Sequence, residues 1–209
     1  NFFHNIVDDS AKRKMNGQSD TLEQLTDIAK STWNPREYVG YSKQLENQDK
    51  KTVEEIIEEY HKWDKQNPNT IVGAEIEMDI KVGEYIIDGK IDRVEQTPEG
   101  EYVIIDYKTG GKNKKITNLN ESLQLNIYAM GLQAKKKFGK LPKLISYFYP
   151  EKEGQKIFSY EVTQADVDNT KRKLEEFLNL IDNGEFGADP NMKKCGWCDY
   201  KDLCDESQA

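Results

Sequence analysis

Gly89-Lys90-Ile91-Asp92-Arg93-Val94-Glu95-Gln96-Thr97-Pro98-Glu99-Gly100-Glu101-Tyr102-Val103-Ile104-Ile105-Asp106-Tyr107-Lys108 is the stretch that decides the fold. Its centre, Thr97-Pro98-Glu99-Gly100, is a tight turn. Proline suits the first central position of a type I turn and glycine the left-handed position after it, which makes a three-residue loop with a bulge. Thr97 then pairs with Glu101, and the partners on every rung sum to 198. Asp92 and Asp106 satisfy that sum, so they are expected opposite each other on one face of a hairpin. Lys108 follows Asp106 by two residues, and side-chain alternation places it on the same face.

Like charges directly opposite one another destabilise a strand pair. The cost rises when the neighbours are as apolar as Ile91, Val94, Ile104 and Ile105. A divalent cation would compensate, because Mg²⁺ and Mn²⁺ take oxygen ligands, commonly one or two carboxylates with waters and substrate phosphates. A lysine beside such a cation suits the activation of water and the stabilisation of negative charge developing at phosphorus. The competing reading is a surface hairpin whose Asp92 and Asp106 pair with Lys90 and Lys108 in solvent.

Outward from the hairpin, Ile76, Met78 and Ile80 alternate with Glu75, Glu77 and Asp79, which predicts a half-buried strand ahead of a turn at Gly83-Glu84. Tyr85 to Gln96 and Glu101 to Lys108 are the hairpin strands, and Lys143 to Pro150 and Lys156 to Glu161 a fourth and fifth. Helical patterns run from Asn118 to Phe138 and from Ala165 to Asn183. In the first of these Gln124 and Tyr128 share a face, while Leu123, Ile127 and Met130 supply an apolar stripe. The front of the chain reads as a helical segment from Phe2 to Lys14, an irregular stretch through Trp33 and Pro35, and a helix from Lys51 to Gln66. Val53, Ile56, Ile57, Tyr60 and Trp63 recur there at helical spacing, and His61 reads as a surface or rim histidine. Lys112, Lys114 and Lys115 form a basic loop after Gly110-Gly111.

The 209 residues leave room for one substantial domain with a helical accessory. Charged residues make up 33% and the formal net charge is −8, so no global positive field draws the molecule to a phosphate backbone or an anionic membrane. No apolar run is long enough to span a bilayer, and a cytoplasmic location is expected. The first residue is Asn1 rather than Met, which suggests a fragment. All three cysteines, Cys195, Cys198 and Cys204, fall in KKCGWCDYKDLC. That clustering argues for metal or cluster ligation over a disulfide framework.

Three segments in order, Gly89 to Arg93, Ile104 to Gly110 and Gln124 to Tyr128, resemble the motifs of the RecB-like branch of the PD-(D/E)xK nuclease superfamily, from about Val72 to the end of the chain. The resemblance implies an α/β, restriction-endonuclease-like core: a central mixed β-sheet flanked by helices, with a helical N-terminal part and a cysteine-containing tail. On that reading residues 1–70 are the helical part, 71–187 the nuclease core and 188–209 the tail.

The implied activity is hydrolysis of DNA phosphodiesters with Mg²⁺ or Mn²⁺, chiefly in single-stranded DNA, within or beside a repair or recombination helicase-nuclease. Asp92 and Asp106 would be metal ligands, joined by His4 and by Glu75, with Glu77 as runner-up. Lys108 would be the catalytic lysine. Gln124 and Tyr128 would sit beside the site and position DNA, and Lys112, Lys114 and Lys115 would contact phosphates. Cys195, Cys198 and Cys204 resemble part of a 4Fe-4S motif whose fourth cysteine is absent from this chain. A non-catalytic DNA-binding or scaffolding module with the same fold, and a metal hydrolase acting on a small substrate, are the alternatives.

Overall fold

The period-two pattern beginning at Thr70 builds one five-stranded sheet. In the computed structural model, which describes residues 2–33, 42–110, 115–185 and 187–208, its strands are β1 (Thr70–Val82), β2 (Tyr85–Gln96), β3 (Tyr102–Tyr107), β4 (Leu144–Phe148) and β5 (Ile157–Glu161). They lie side by side in sequence order. β1, β2 and β3 form an antiparallel meander, β3 and β4 are parallel, and β5 returns antiparallel to β4. The hairpin register matches its turn: Arg93 pairs with Ile105, Val94 with Ile104, Glu95 with Val103 and Gln96 with Tyr102, every rung summing to 198. Gly100 has φ +85°, a left-handed conformation that glycine adopts without strain. The Thr97 N–H closes the loop on the Glu101 carbonyl at 2.8 Å.

Alternation along β3 then divides the molecule into layers. Val103, Ile105 and Tyr107 face the front helices α1 (Phe2–Met15), α2 (Leu22–Thr32) and α3 (Lys43–Gln66), where Phe3, Ile6, Val7, Leu25, Ala29, Ile56, Ile57 and Tyr60 complete the core with Phe148. The parallel step from β3 to β4 requires a crossover, and α4 (Leu123–Ala134) supplies it. Gly131 lets α4 approach β1 closely, since a Cβ there would stand 2.1 Å from the Met78 sulfur.

Three helices depart from the sequence reading by more than a residue. The stretch read as irregular contains α2, whose start is a capping box: the Thr21 hydroxyl accepts from Gln24 N–H and the Gln24 side chain from Thr21 N–H. Pro35 lies outside the described residues. α3 begins at Lys43, eight residues early, because Ser42 caps it and a Glu46–Lys50 pair supports a polar first part that has no apolar period. The helix expected from Asn118 to Phe138 is shorter at both ends. Asn118 is left-handed and leads into a 3-10 turn at Leu119–Glu121, Ser122 caps α4, and the chain leaves the helix at Lys135.

Residues up to Lys171 form one compact unit and Arg172–Ala209 a second. α5 (Gln164–Asp182) runs into the second unit, which holds the short α6 (Met192–Gly196). Among the described residues no helix is long and apolar enough to cross a membrane.

Arg93 lies on the helix side of β2, and its side chain is wholly buried. Its guanidinium pairs with Asp64 and Glu95, each at 2.7 Å, and lies 4.8 Å from the centre of the Trp63 ring. The Tyr60 and Tyr107 hydroxyls accept from it at 3.4 Å. Asn67 and Asn69 donate to Glu95 at 2.7 and 2.9 Å, and Lys14 pairs with Asp64 at 2.6 Å. The cluster therefore fastens α1 and α3 to the strand that carries Asp92. Removing one member of a buried ion pair strands its partner, so Arg93→Ala is expected to lower the unfolding free energy by about 3–5 kcal/mol in urea denaturation. An unchanged midpoint would show that the cluster is not holding the helices.

Candidate active site

The β2–β3 rungs stop at Arg93 and Ile105, one residue short of Asp92 and Asp106. Here a side chain takes over from the ladder: the Tyr107 N–H donates to Asp92 Oδ2 at 2.9 Å. Asp106 is 2% exposed and lies on the α4 side of the sheet. Burial first, and the Asp92 charge second, push its pKa up to about 6. Burial raises Asp92 as well, against the stabilising Tyr107 N–H.

Lys108 is set by its backbone N–H, which donates to the Phe148 carbonyl at 2.9 Å and continues the parallel ladder. Its ammonium meets Asp106 Oδ2 at 2.5 Å, donates to Gln124 Oε1 at 2.9 Å and lies 5.0 Å from the centre of the Tyr147 ring. Gln124 Nε2 in turn donates to the Tyr128 hydroxyl at 2.9 Å. Burial, then the Asp106 charge, holds that phenol protonated. The two α4 residues share a face, and Ser122 fixes the start of their helix by accepting from Leu125 N–H and bonding the Tyr147 hydroxyl at 2.7 Å.

From the other side, α1 contributes His4, Asp8 and Lys12, which recur every four residues along one edge of the helix. His4 Nε2 donates to the Tyr107 carbonyl at 2.9 Å and lies 3.6 Å from Asp92 Oδ2, while its Nδ1 is buried without a hydrogen-bond partner. Burial lowers its pKa. Asp8 is 4% exposed, and its Oδ1 also has no partner. Burial first, then the charges of Asp92 and Glu75, push its pKa up to about 7. Lys12 closes the stripe by pairing with Glu75.

Glu75 sits opposite Asp92 at a skipped rung of the β1–β2 ladder, between the Ala74–Arg93 and Ile76–Ile91 pairs, at φ +49°, a strained conformation for a non-glycine residue. It pairs with Lys90 at 3.3 Å as well as with Lys12, and the hydrogen bond from Lys12 lowers its pKa.

His4, Asp92, Asp106, Lys108, Gln124 and Tyr128 are thus linked by these contacts, with Glu75 at the rim. Glu77 is exposed, in register with Lys90. Lys115 is exposed, and Lys112 and Lys114 lie outside the described residues. His61 is half-buried, on the wall of a separate cleft with Lys14 and Asp64. In the second unit Cys195 is buried, Cys198 exposed and Cys204 half-buried. Sequence reading missed Asp8. The signal available was the spacing His4-Asp8-Lys12 beside the apolar Phe3, Ile6, Val7 and Ala11.

Among the described residues no group of three or more His, Cys, Asp and Glu side chains forms a ready cation cage. The Asp92–Asp106 pair nevertheless fits a hard cation, being buried, mutually repelling and opposed by one ammonium. Ligation by His4 Nε2 would require its proton on Nδ1, an atom with no acceptor here. Among the described residues the three cysteines are not gathered into a ligand set, and a 4Fe-4S cluster usually takes four thiolates.

A carboxylate whose pKa is higher in the folded than in the unfolded chain stabilises the fold below its unfolded value and loses that contribution as pH rises through the folded one. Asp8 and Asp106 are of this kind. His4 acts oppositely, losing stability as pH falls through its unfolded value of about 6.5. In EDTA the chain is therefore expected to melt at a lower temperature at pH 8 than at pH 6.5, and Asp8→Asn to flatten the difference. Circular-dichroism melts across that range check it; a wild-type curve that rises with pH would refute the assignment.

A sequence model of the PD-(D/E)XK nuclease superfamily matches residues 1–205. Gene 69 protein of Mycobacterium phage L5 is 29% identical over 133 residues, which are 62% of this chain; the chain spans 43% of that relative's length. A crystal structure from Eubacterium rectale, provisionally described as an exonuclease, superposes with a TM-score of 0.51 at 18% identity, over 96% of this chain and 72% of that one. That likeness is one of fold, and the sequence match is one of family. Five strands, flanking helices and a match along nearly the whole length agree: the chain belongs to the PD-(D/E)XK nuclease superfamily.

Proposed function

We propose that this chain is a divalent-metal-dependent deoxyribonuclease of the RecB-like branch, with Asp92 and Asp106 as metal ligands and Lys108 as its catalytic lysine. The observation that carries the reading is the carboxylate pair, Asp106 buried and Asp92 half-buried, with an ammonium held against Asp106. When bound, Mg²⁺ or Mn²⁺ at Asp92 and Asp106 supplies Lewis acidity toward a phosphate oxygen and a more acidic water.

The protein's own groups do the rest. A lysine ammonium has three donors. Two are engaged, by Asp106 and by Gln124. The third is available to a phosphate oxygen, where it stabilises the charge that develops as the phosphodiester breaks. Gln124 aims that ammonium and is itself oriented by its bond to Tyr128. His4, fixed between Tyr107 and Asp92, holds the metal side in place, and Glu75 is a further carboxylate at the rim. Contacts to DNA are local, through Lys112, Lys114 and Lys115, which follow β3 in the sequence, because the net charge of −8 offers no general attraction. Single-stranded DNA as substrate and a helicase as partner are carried by the motif resemblance.

The test is cleavage of end-labelled single- and double-stranded oligonucleotides with Mg²⁺, Mn²⁺ or EDTA. Asp106→Ala is expected to fall to background and Lys108→Ala to lose about 10²–10³ in rate, the usual cost of one donor to a developing oxyanion. EDTA should abolish cleavage and added Mn²⁺ restore it. Folded wild-type protein that cleaves neither substrate with either metal would overturn the proposal and favour the scaffolding module.

A further inference from the structure

Asp8 lies outside the three motifs, yet it is among the most buried carboxylates of the chain. Buried polar atoms are nearly always hydrogen-bonded, and Asp8 Oδ1 is not. A structural carboxyl would face a donor or a cation. Asp8 faces Asp92 and Glu75, both acidic, and the cation that opposes it, Lys12, is bound to Glu75.

Its position in the fold is equally specific. Asp8 follows His4 by one helical turn, so a rigid helix carries both toward the place where the β1–β2 ladder skips the rung between Glu75 and Asp92 and β2 parts from β3. The charge nearest in effect to Asp8 there is that of Asp92, whose own partners are the Tyr107 N–H and His4. Two desolvated carboxylates that repel each other, one with an unpartnered oxygen, make a donor set to which a further positive charge would be welcome.

We propose that Asp8 is a further oxygen donor to the divalent cation at Asp92 and Asp106, acting directly or through one of its waters. This rests on the metal reading given above and adds α1 to the ligand-bearing elements. Ionised Asp8 supplies negative charge where His4 supplies none, so it raises affinity for a hard cation and reduces reliance on an imidazole whose Nδ1 has no acceptor.

The experiment is Mn²⁺ titration by calorimetry on wild type, Asp8→Asn, Asp8→Glu and Asp106→Asn, with melting curves in EDTA and in Mn²⁺. Asp8→Asn is expected to weaken Mn²⁺ binding about 10- to 100-fold, to melt no lower than wild type in EDTA, and to gain less on adding Mn²⁺. Asp8→Glu, which keeps the charge, should bind more tightly than Asp8→Asn. Wild-type affinity in Asp8→Asn beside weakened binding in Asp106→Asn would sink this inference and leave the metal reading standing. An Asp8→Glu no tighter than Asp8→Asn, or an Asp8→Asn that melts well below wild type in EDTA, would assign Asp8 a structural role instead. Wild type that binds no Mn²⁺ would remove both.

Discussion

Asp92 and Asp106 repel each other in a buried corner of the sheet, and the surrounding structure keeps them from moving apart. Adjacent residues of a strand face opposite ways, so Asp92 cannot shift without moving Arg93. Arg93 is tied on the far side to Asp64, Glu95 and two tyrosines. The cluster beneath the sheet is thus the counterpart of the cluster above it. The lower one pairs opposite charges, whereas the upper one sets like charges against each other. Burying charge on both faces of one strand is costly unless each side has its own compensation; below it is guanidinium, above it is one lysine and, on the proposed reading, a cation.

The topology accounts for the second half of the site. A hairpin alone would leave Lys108 free to wave in solvent. Because β3 and β4 are parallel, the chain must cross the sheet between them, and the crossover helix brings Gln124 and Tyr128 over Lys108. The same parallel pairing anchors the Lys108 backbone to Phe148. Aim and attachment of the ammonium both follow from one connection.

Much of this was legible because it depends on short-range rules. The Thr97–Gly100 turn sets the hairpin register, and the register alone places Asp92, Asp106 and Lys108. The strands follow from period two, and α4 from its apolar stripe. What escaped had a different physical basis. The start of α2 is a polar capping box rather than an apolar repeat, and the first part of α3 is likewise polar. Asp8 beside Asp9 reads as surface charge, and only the packing of α1 on β1 buries one and not the other. Arg93 reads as an ordinary exposed strand residue until α3 supplies its partners. Glu75 fits the alternation of β1, but its positive φ is a local departure that no periodicity announces.

The hydrogen bond between His4 and Tyr107 joins residues 103 positions apart, whereas Asp92 reaches Tyr107 across 15 and Lys108 reaches Gln124 across 16. Closing a longer loop costs more chain entropy, and contacts of high sequence separation slow folding. The sheet and its crossover can therefore bring the carboxylates and the lysine together while α1 is still undocked. Completion of the α1 side belongs to the slowest class of contact in the chain, which makes this corner a marker of when folding has finished as well as the place where chemistry begins.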